Sequence, residues 1–165
     1  MITSPDAQLE ALIVSEHEFA RVQMNPATNQ KSLHILKSFK SGDVICDFSA
    51  GTTQSHPTYL TVQVGEDKHI TLMPEFLQYI NHSCDPTAFF DTTTMKLMCL
   101  KDLKAEDEVT FFYPSTEWEM AQPFTCHCGS RNCLHTISGA SQIPAAILDN
   151  YKLTDFIESK RVHLR

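Results

Sequence analysis

No stretch of the chain reaches the roughly eighteen consecutive apolar residues that a membrane-spanning helix needs. Its first residues, MITSPDAQLEALIVSEHE, carry neither the basic leader nor the apolar core of a secretion signal. Both lacks lead to the expectation of a nuclear or cytoplasmic protein with no membrane partner. Basic side chains are also scarce, 13 Lys and Arg against 20 Asp and Glu, for a formal charge of −7. A protein that grips nucleic acid by its phosphates needs the opposite balance, so direct nucleic-acid binding is not expected. A basic or neutral substrate suits this field better. Internal repeats and low-complexity segments are absent, and nothing specifies an oligomer. With 165 residues, 42% of them hydrophobic, the chain is long enough for one domain with a core and too short for two.

What is present reads as a mainly β protein with short helices. VIC at 44–46, the alternating YLTVQV at 59–64, HITL at 69–72, TAFF at 87–90, MKLMCL at 95–100 and VTFFY at 109–113 are short apolar runs bounded by turn residues. YLTVQV and HITL, joined by GEDK, predict a hairpin with Leu60, Val62 and Val64 on one face and Ile70 and Leu72 on one face of the partner strand. Helices are expected in PEFLQYI at 74–80, in PSTEWEMAQ at 114–122 and in the tail. In that tail Ile143, Ile147, Leu148 and Tyr151 recur at helical spacing, and Thr154 can cap a last helix through Phe156 and Ile157.

Six cysteines in a reducing compartment are expected as free thiols or metal ligands. Cys126, Cys128 and Cys133 put three thiolates within reach of one ion, while structural zinc takes four ligands. Cys46 and Cys99 lie in apolar strands, where a cysteine is ordinarily a small core residue. Cys84 lies in a polar turn segment, INHSCDPT, that can aim a thiolate outward, and it is the preferred fourth ligand; His127 and His135 stand as alternatives. Such an ion is structural, with no open position for catalysis. Joining residue 84 to residues 126–133, it makes metal binding part of the folding free energy.

INHSCDP at 80–86, EDEVTFFY at 106–113 and F-x-C-x-C-G-S-x-x-C at 124–133, in this order and spacing, resemble the SET-domain family of protein lysine methyltransferases. The likeness runs from about Leu33 to Gly139 and is to a short form with a post-SET zinc motif and no pre-SET region. It implies the SET-domain β-clip fold, in which the Asn-His-Ser-Cys segment forms a pseudoknot with the segment carrying the catalytic tyrosine, followed by a zinc-bound post-SET segment and C-terminal helices. The implied organisation is an N-terminal segment of the same domain at 1–29, the SET domain at 30–120, the post-SET segment at 121–140 and a helical tail at 141–165.

The resemblance also implies roles. S-adenosylmethionine is the implied cofactor, contacted by Lys31, Ser32, Leu33, Asn81, His82, Tyr113 and Phe124, with Tyr113 catalytic and Phe124 near the adenine. Phe48, Tyr79 and Phe111 are the implied substrate channel, and Cys84, Cys126, Cys128 and Cys133 the implied zinc ligands. Phe111 occupies the position where phenylalanine leaves room for extra methyl groups, so di- or trimethylation of a lysine ε-amine is expected. The implied substrate is a protein such as a histone tail, with free lysine or another small amine as the alternative.

The pattern has departures. Gln30-Lys31-Ser32 stands where the family has Gly-x-Gly, Phe48-Ser49-Ala50 where it has Tyr-x-Gly, and Gln78 and Thr87 replace an arginine and an asparagine. The insert between Ala50 and Pro74 is short. The Gln-Lys-Ser and Phe-Ser-Ala replacements motivate a further alternative, a zinc-stabilised SET-like interaction module that has lost catalysis. Asn81, His82 and Tyr113 are retained, which favours the enzyme.

Overall fold

A computed structural model describes residues 10–163 of the chain. Its strands are β1 (Leu12–Glu16), β2 (Ala20–Met24), β3 (Lys31–Ile35), β4 (Val44–Asp47), β5 (Ser49–Gln54), β6 (Val62–Gly65), β7 (Lys68–Met73), β8 (Asn81–His82), β9 (Ala88–Asp91), β10 (Lys96–Cys99), β11 (Glu108–Phe111), β12 (Phe124–Thr125) and β13 (Thr136–Ile137). Two short helices follow, α1 (Ala145–Leu148) and α2 (Asp155–Val162). Four small sheets result, in the orders β1-β2-β3-β11-β8, β4-β10-β9, β5-β7-β6 and β12-β13. Among the described residues no helix is long and apolar enough to cross a membrane.

Alternation builds the core. Pairing of Ala20 with Ile35 and of Val22 with Leu33 sends all four side chains to one face, where each is fully buried. The loop between β2 and β3 closes locally: Ala27 N–H donates to Asn25 Oδ1 at 2.9 Å, and Asn29 takes a φ of 59°, a conformation asparagine tolerates. The β6–β7 hairpin forms as expected, with Val62 opposite Ile70, and Ile70 and Leu72 join Phe90, Leu97 and Val109 in the main core. A smaller core under the tail contains Phe112, Leu148 and Ile157, with Phe112 stacked on Tyr151 at 3.6 Å between centroids.

The sheet that carries the site is closed by an unusual neighbour. β8 runs parallel to β11, with Asn81 beside Thr110 and His82 beside Phe111, although twenty-five residues separate the two strands. Ser83 N–H donates to Phe111 O at 3.0 Å and Thr87 N–H to Thr110 O at 3.2 Å, so the Asn-His-Ser-Cys segment is laced along β11. This is the crossing that the resemblance noted in the sequence implies.

Several elements differ from the sequence expectation. The VTFFY strand ends at Phe111, and Tyr113–Ser115 forms a 3-10 turn, because Pro114 has no N–H to continue a ladder. The helix expected over 114–122 is absent beyond that turn. Its backbone groups are used elsewhere: Trp118 N–H donates to Gln63 Oε1 at 2.9 Å, and Glu117 O and Trp118 O accept from Ala140 and Ser141. PEFLQYI shortens to a 3-10 element at Glu75–Tyr79. YLTVQV enters its strand only at Val62, since Thr58 and Thr61 close a turn that leaves Tyr59 exposed. Thr154 caps α2 as expected, accepting from Ile157 N–H at 3.3 Å.

The Trp118 contact makes Gly139 indispensable. A Cβ there would lie 2.2 Å from Trp118 O and 2.4 Å from Glu119 Cα, both main-chain atoms that cannot swing aside. We predict that Gly139→Ala costs at least about 2 kcal/mol, read as a lowered melting temperature. A melting temperature within a degree of the parent would contradict the packing.

The same junction buries a carboxyl. Glu117 is 7% exposed, and burial pushes its pKa up to about 7. Its folded-state pKa is raised above the unfolded value of 4.5, so its contribution to stability is full below about pH 4.5 and is lost as pH rises through about 7. The shift is worth about 3 kcal/mol by linkage. Glu117→Gln is therefore expected to be more stable than the parent at pH 8, with the gap closing towards pH 5. Chemical denaturation at the two pH values checks this; a gap independent of pH would contradict it.

Candidate active site

The parallel pairing of β8 with β11 sets the Asn81 and His82 side chains at one cleft, His82 against Tyr113. His82 Nδ1 accepts the Tyr113 N–H at 3.1 Å, which leaves the ring proton on Nε2, 3.3 Å from Cys84 Sγ. Burial pushes the His82 pKa down to about 4, so the ring is neutral and this tautomer holds. Asn81 Nδ2 donates to Lys31 O at 2.8 Å and ties β8 to the start of β3. Tyr113 Oη donates to Ile80 O at 3.4 Å, and burial raises its pKa to about 12, so it is a phenol at neutral pH.

These residues face a cleft of about 460 Å3. Lys31, Ser32, Asn81, His82, Tyr113 and Phe124 line it, and with them Asn25, Gln30, Glu108 and residues 125–128. Leu33 does not: its side chain is fully buried in the core. Asn25 and Glu108 were missed from the sequence. The Asn25-Pro26 turn signal beside the Gln30-Lys31-Ser32 stretch was available for the first, and no signal marks the second.

None of the three residues expected in a substrate channel lines the cleft, and two of them, Phe48 and Phe111, stand behind Tyr113 in an aromatic row. Phe48 meets Phe90 edge-on at 5.3 Å between centroids, Phe90 meets Phe111 at 4.9 Å, and Phe111 lies 4.6 Å from Tyr113. Tyr113 is thus the junction between a polar cleft and an aromatic row. Tyr79 sits apart, with the Lys31 ammonium 5.0 Å above its ring.

Beside the cleft, the thiols of Cys84, Cys126, Cys128 and Cys133 all lie within 4.8 Å of one another, and Cys84 and Cys126 sulfurs are 4.0 Å apart. Tetrahedral zinc with bonds of about 2.3 Å separates its sulfurs by about 3.8 Å, so the donor set fits that ion. His127, His135, Cys46 and Cys99 stand outside the cluster. Burial and neighbouring thiols raise Cys84 and Cys126, the latter to about 11, whereas at Cys128 hydrogen bonds led by Ser130 outweigh burial and bring it down to about 6. Packed thiols that resist ionisation together are relieved by a cation. Asn132 Nδ2 and Tyr151 Oη both donate to Cys84 O, at 2.8 and 2.7 Å, and fasten the tail to the same turn.

Comparison with known proteins agrees with this geometry. The SET domain family model matches residues 10–114. A methyltransferase of Aspergillus flavus, flvH, is 40% identical over 129 residues, 77% of this chain and 72% of that protein. An H3 lysine-36 specific histone-lysine N-methyltransferase of Candida albicans is 34% identical over 43% of this chain, a region that makes up 9% of that much longer protein. Among solved structures, that of KRYPTONITE in complex with mCHG DNA and SAH aligns with a TM-score of 0.50 at 17% identity, covering 64% of this chain and 26% of that one, a likeness of fold alone. With the parallel β8–β11 crossing, the tyrosine at its end and a family match over most of its length, the chain belongs to the SET domain family.

Proposed function

We propose that the protein is an S-adenosylmethionine-dependent methyltransferase acting on a lysine ε-amine. The observation that carries this reading is Tyr113, a neutral phenol at the meeting point of the polar cleft and the aromatic row. The cofactor fits the cleft on its volume and on the polar lining from Ser32, Asn81 and His82, with Phe124 available as an apolar surface for the adenine. When bound, it supplies an activated methyl group. The chain's own residues do the rest by position. Asn81 and His82 are already spent on holding Lys31 O and the Tyr113 N–H, so the walls are rigid before any ligand enters. Tyr113 Oη is fixed beside the Ile80 carbonyl, where the pair can orient an amine. A lysine amine, with a reference pKa of about 10.4, is less than about one part in a thousand neutral at pH 7, and the apolar row of Phe48, Phe90 and Phe111 disfavours its ammonium form. No dedicated general base is required. Zinc held by Cys84, Cys126, Cys128 and Cys133 is structural in this account, since all four positions are protein thiolates.

The substrate has two readings. A histone tail, with a nuclear site of action, follows the relatives named for H3 lysine-36. Free lysine or another small amine is favoured by the short insert between Ala50 and Pro74. A labelled-methyl screen of basic peptides against free amines separates them, and label on neither would overturn both. Phe111 leaves the space beside Tyr113 without a second hydroxyl, so the expected product is di- or trimethylated. Mass spectrometry showing monomethyl product alone would contradict that.

A further inference from the structure

Glu117 is a buried carboxyl outside the cleft lining and unused in the mechanism above. Its Oε2 accepts two hydrogen bonds, from Gln63 N–H of β6 at 2.9 Å and from Thr116 Oγ1 at 2.7 Å. The tie is reciprocal, because Gln63 Oε1 accepts Trp118 N–H at 2.9 Å while Gln63 Nε2 donates to Gly65 O and Glu66 O within the same hairpin. Toward Tyr113, the N–H groups of Thr116 and Glu117 both donate to Tyr113 O at 3.1 Å, and Thr116 Oγ1 lies 3.3 Å from that oxygen. Glu117 O in turn accepts Ala140 N–H at 2.9 Å from the C-terminal segment. Tyr113 is therefore gripped from two sides, by His82 through its own N–H and by the Glu117 turn through its carbonyl.

We infer that Glu117 is a positioning residue for Tyr113, holding the turn that aims the phenol by fastening it to β6. The inference rests on the reading of Tyr113 as the group at the methyl-transfer site. A buried carboxylate is an odd choice for mere packing, since an apolar residue of its volume would fill the space without a desolvation cost. What it supplies is an acceptor for two converging donors on different elements, which no apolar side chain provides. A misplacement of about 1 Å at a reacting group can cost on the order of a hundredfold in rate.

The test measures methyl transfer and cofactor affinity for Glu117→Leu, Glu117→Gln and Thr116→Val, each checked for fold by circular dichroism and for zinc content, with Tyr113→Phe alongside. Glu117→Leu is expected to lower kcat at least tenfold while the KM for S-adenosylmethionine stays within about twofold. Glu117→Gln, which keeps an acceptor oxygen, is expected to restore most of that kcat. Thr116→Val, which removes one donor and little volume, should lower kcat severalfold, and it decides the matter if Glu117→Leu does not fold. Folded Glu117→Leu, or failing that Thr116→Val, with the parent kcat would overturn the inference. If Tyr113→Phe also keeps full activity, the reading of Tyr113 falls first; if Tyr113→Phe is inactive, only the role of Glu117 falls.

Discussion

Tyr113→Phe is expected to lose methyl transfer by about two to three orders of magnitude while its fold and zinc content stay those of the parent. The ring keeps its contacts in the variant: Phe111 at 4.6 Å, His82 at 5.2 Å and Phe124 at 5.8 Å between centroids. The backbone hydrogen bond from Tyr113 N–H to His82 also survives. All that disappears is the hydroxyl and its 3.4 Å contact with Ile80 O, a long bond whose loss costs no more than about 1 kcal/mol of stability. The separation of effects is the point, since a purely structural tyrosine would lose stability and activity together. Initial rates with labelled cofactor and a thermal melt measure both. Near-normal turnover in the folded variant would sink the assignment.

The second large effect concerns the cysteine cluster. β12 and β13 pair through only two residue pairs, Phe124 with Ile137 and Thr125 with Thr136, too few to stand alone in water. Four thiolates on one ion would add the main tie of residues 124–137 to Cys84 beyond the hydrogen bonds from Asn132 and Leu134, and apparent binding free energies for structural zinc run to about 10–16 kcal/mol in small peptides. The same segment forms one wall of the cleft through Phe124, Thr125, Cys126, His127 and Cys128. Removing zinc with a chelator, or replacing Cys126 by serine, is expected to free this segment and weaken S-adenosylhomocysteine binding by at least a hundredfold. Limited proteolysis should then cut first within 121–140. Unchanged cofactor affinity in demonstrably zinc-free protein would show that the wall stands without the ion.

Much of this site was legible in the sequence, for reasons that differ from residue to residue. The four cysteines could be found because zinc chemistry demands four ligands, and Cys84 alone among the remaining cysteines lies in a polar turn. Cys46 and Cys99 pack against or within the main core, as their apolar flanks imply. Asn81, His82, Tyr113 and Phe124 face one cleft because each belongs to a motif whose neighbours constrain it. Leu33 was expected at the cofactor on the strength of its neighbours, but β-strand alternation turns its side chain to the opposite face from Ser32 and into the core. β5 left no signal at all, since SAGTTQ is polar, carries a glycine and is largely exposed. The 114–122 segment read as a helix on local propensity alone. Its fate was decided by Gln63 and residues 139–141, which take its backbone groups, and no local pattern reveals partners fifty residues upstream or twenty downstream. Glu117 was invisible for the same reason, being a charged residue in a stretch that only tertiary contacts bury.

The central claim is that the cleft beside Tyr113 is a cofactor site, and calorimetric titration of zinc-loaded protein with S-adenosylhomocysteine tests it most directly. A single saturable site is expected, with an affinity that falls sharply in Asn81→Ala, because that change frees Lys31 O and the start of β3. A folded, zinc-loaded protein that takes up neither S-adenosylhomocysteine nor S-adenosylmethionine would contradict it, and would mean that Gln30-Lys31-Ser32 has cost the fold its cofactor and left an interaction module.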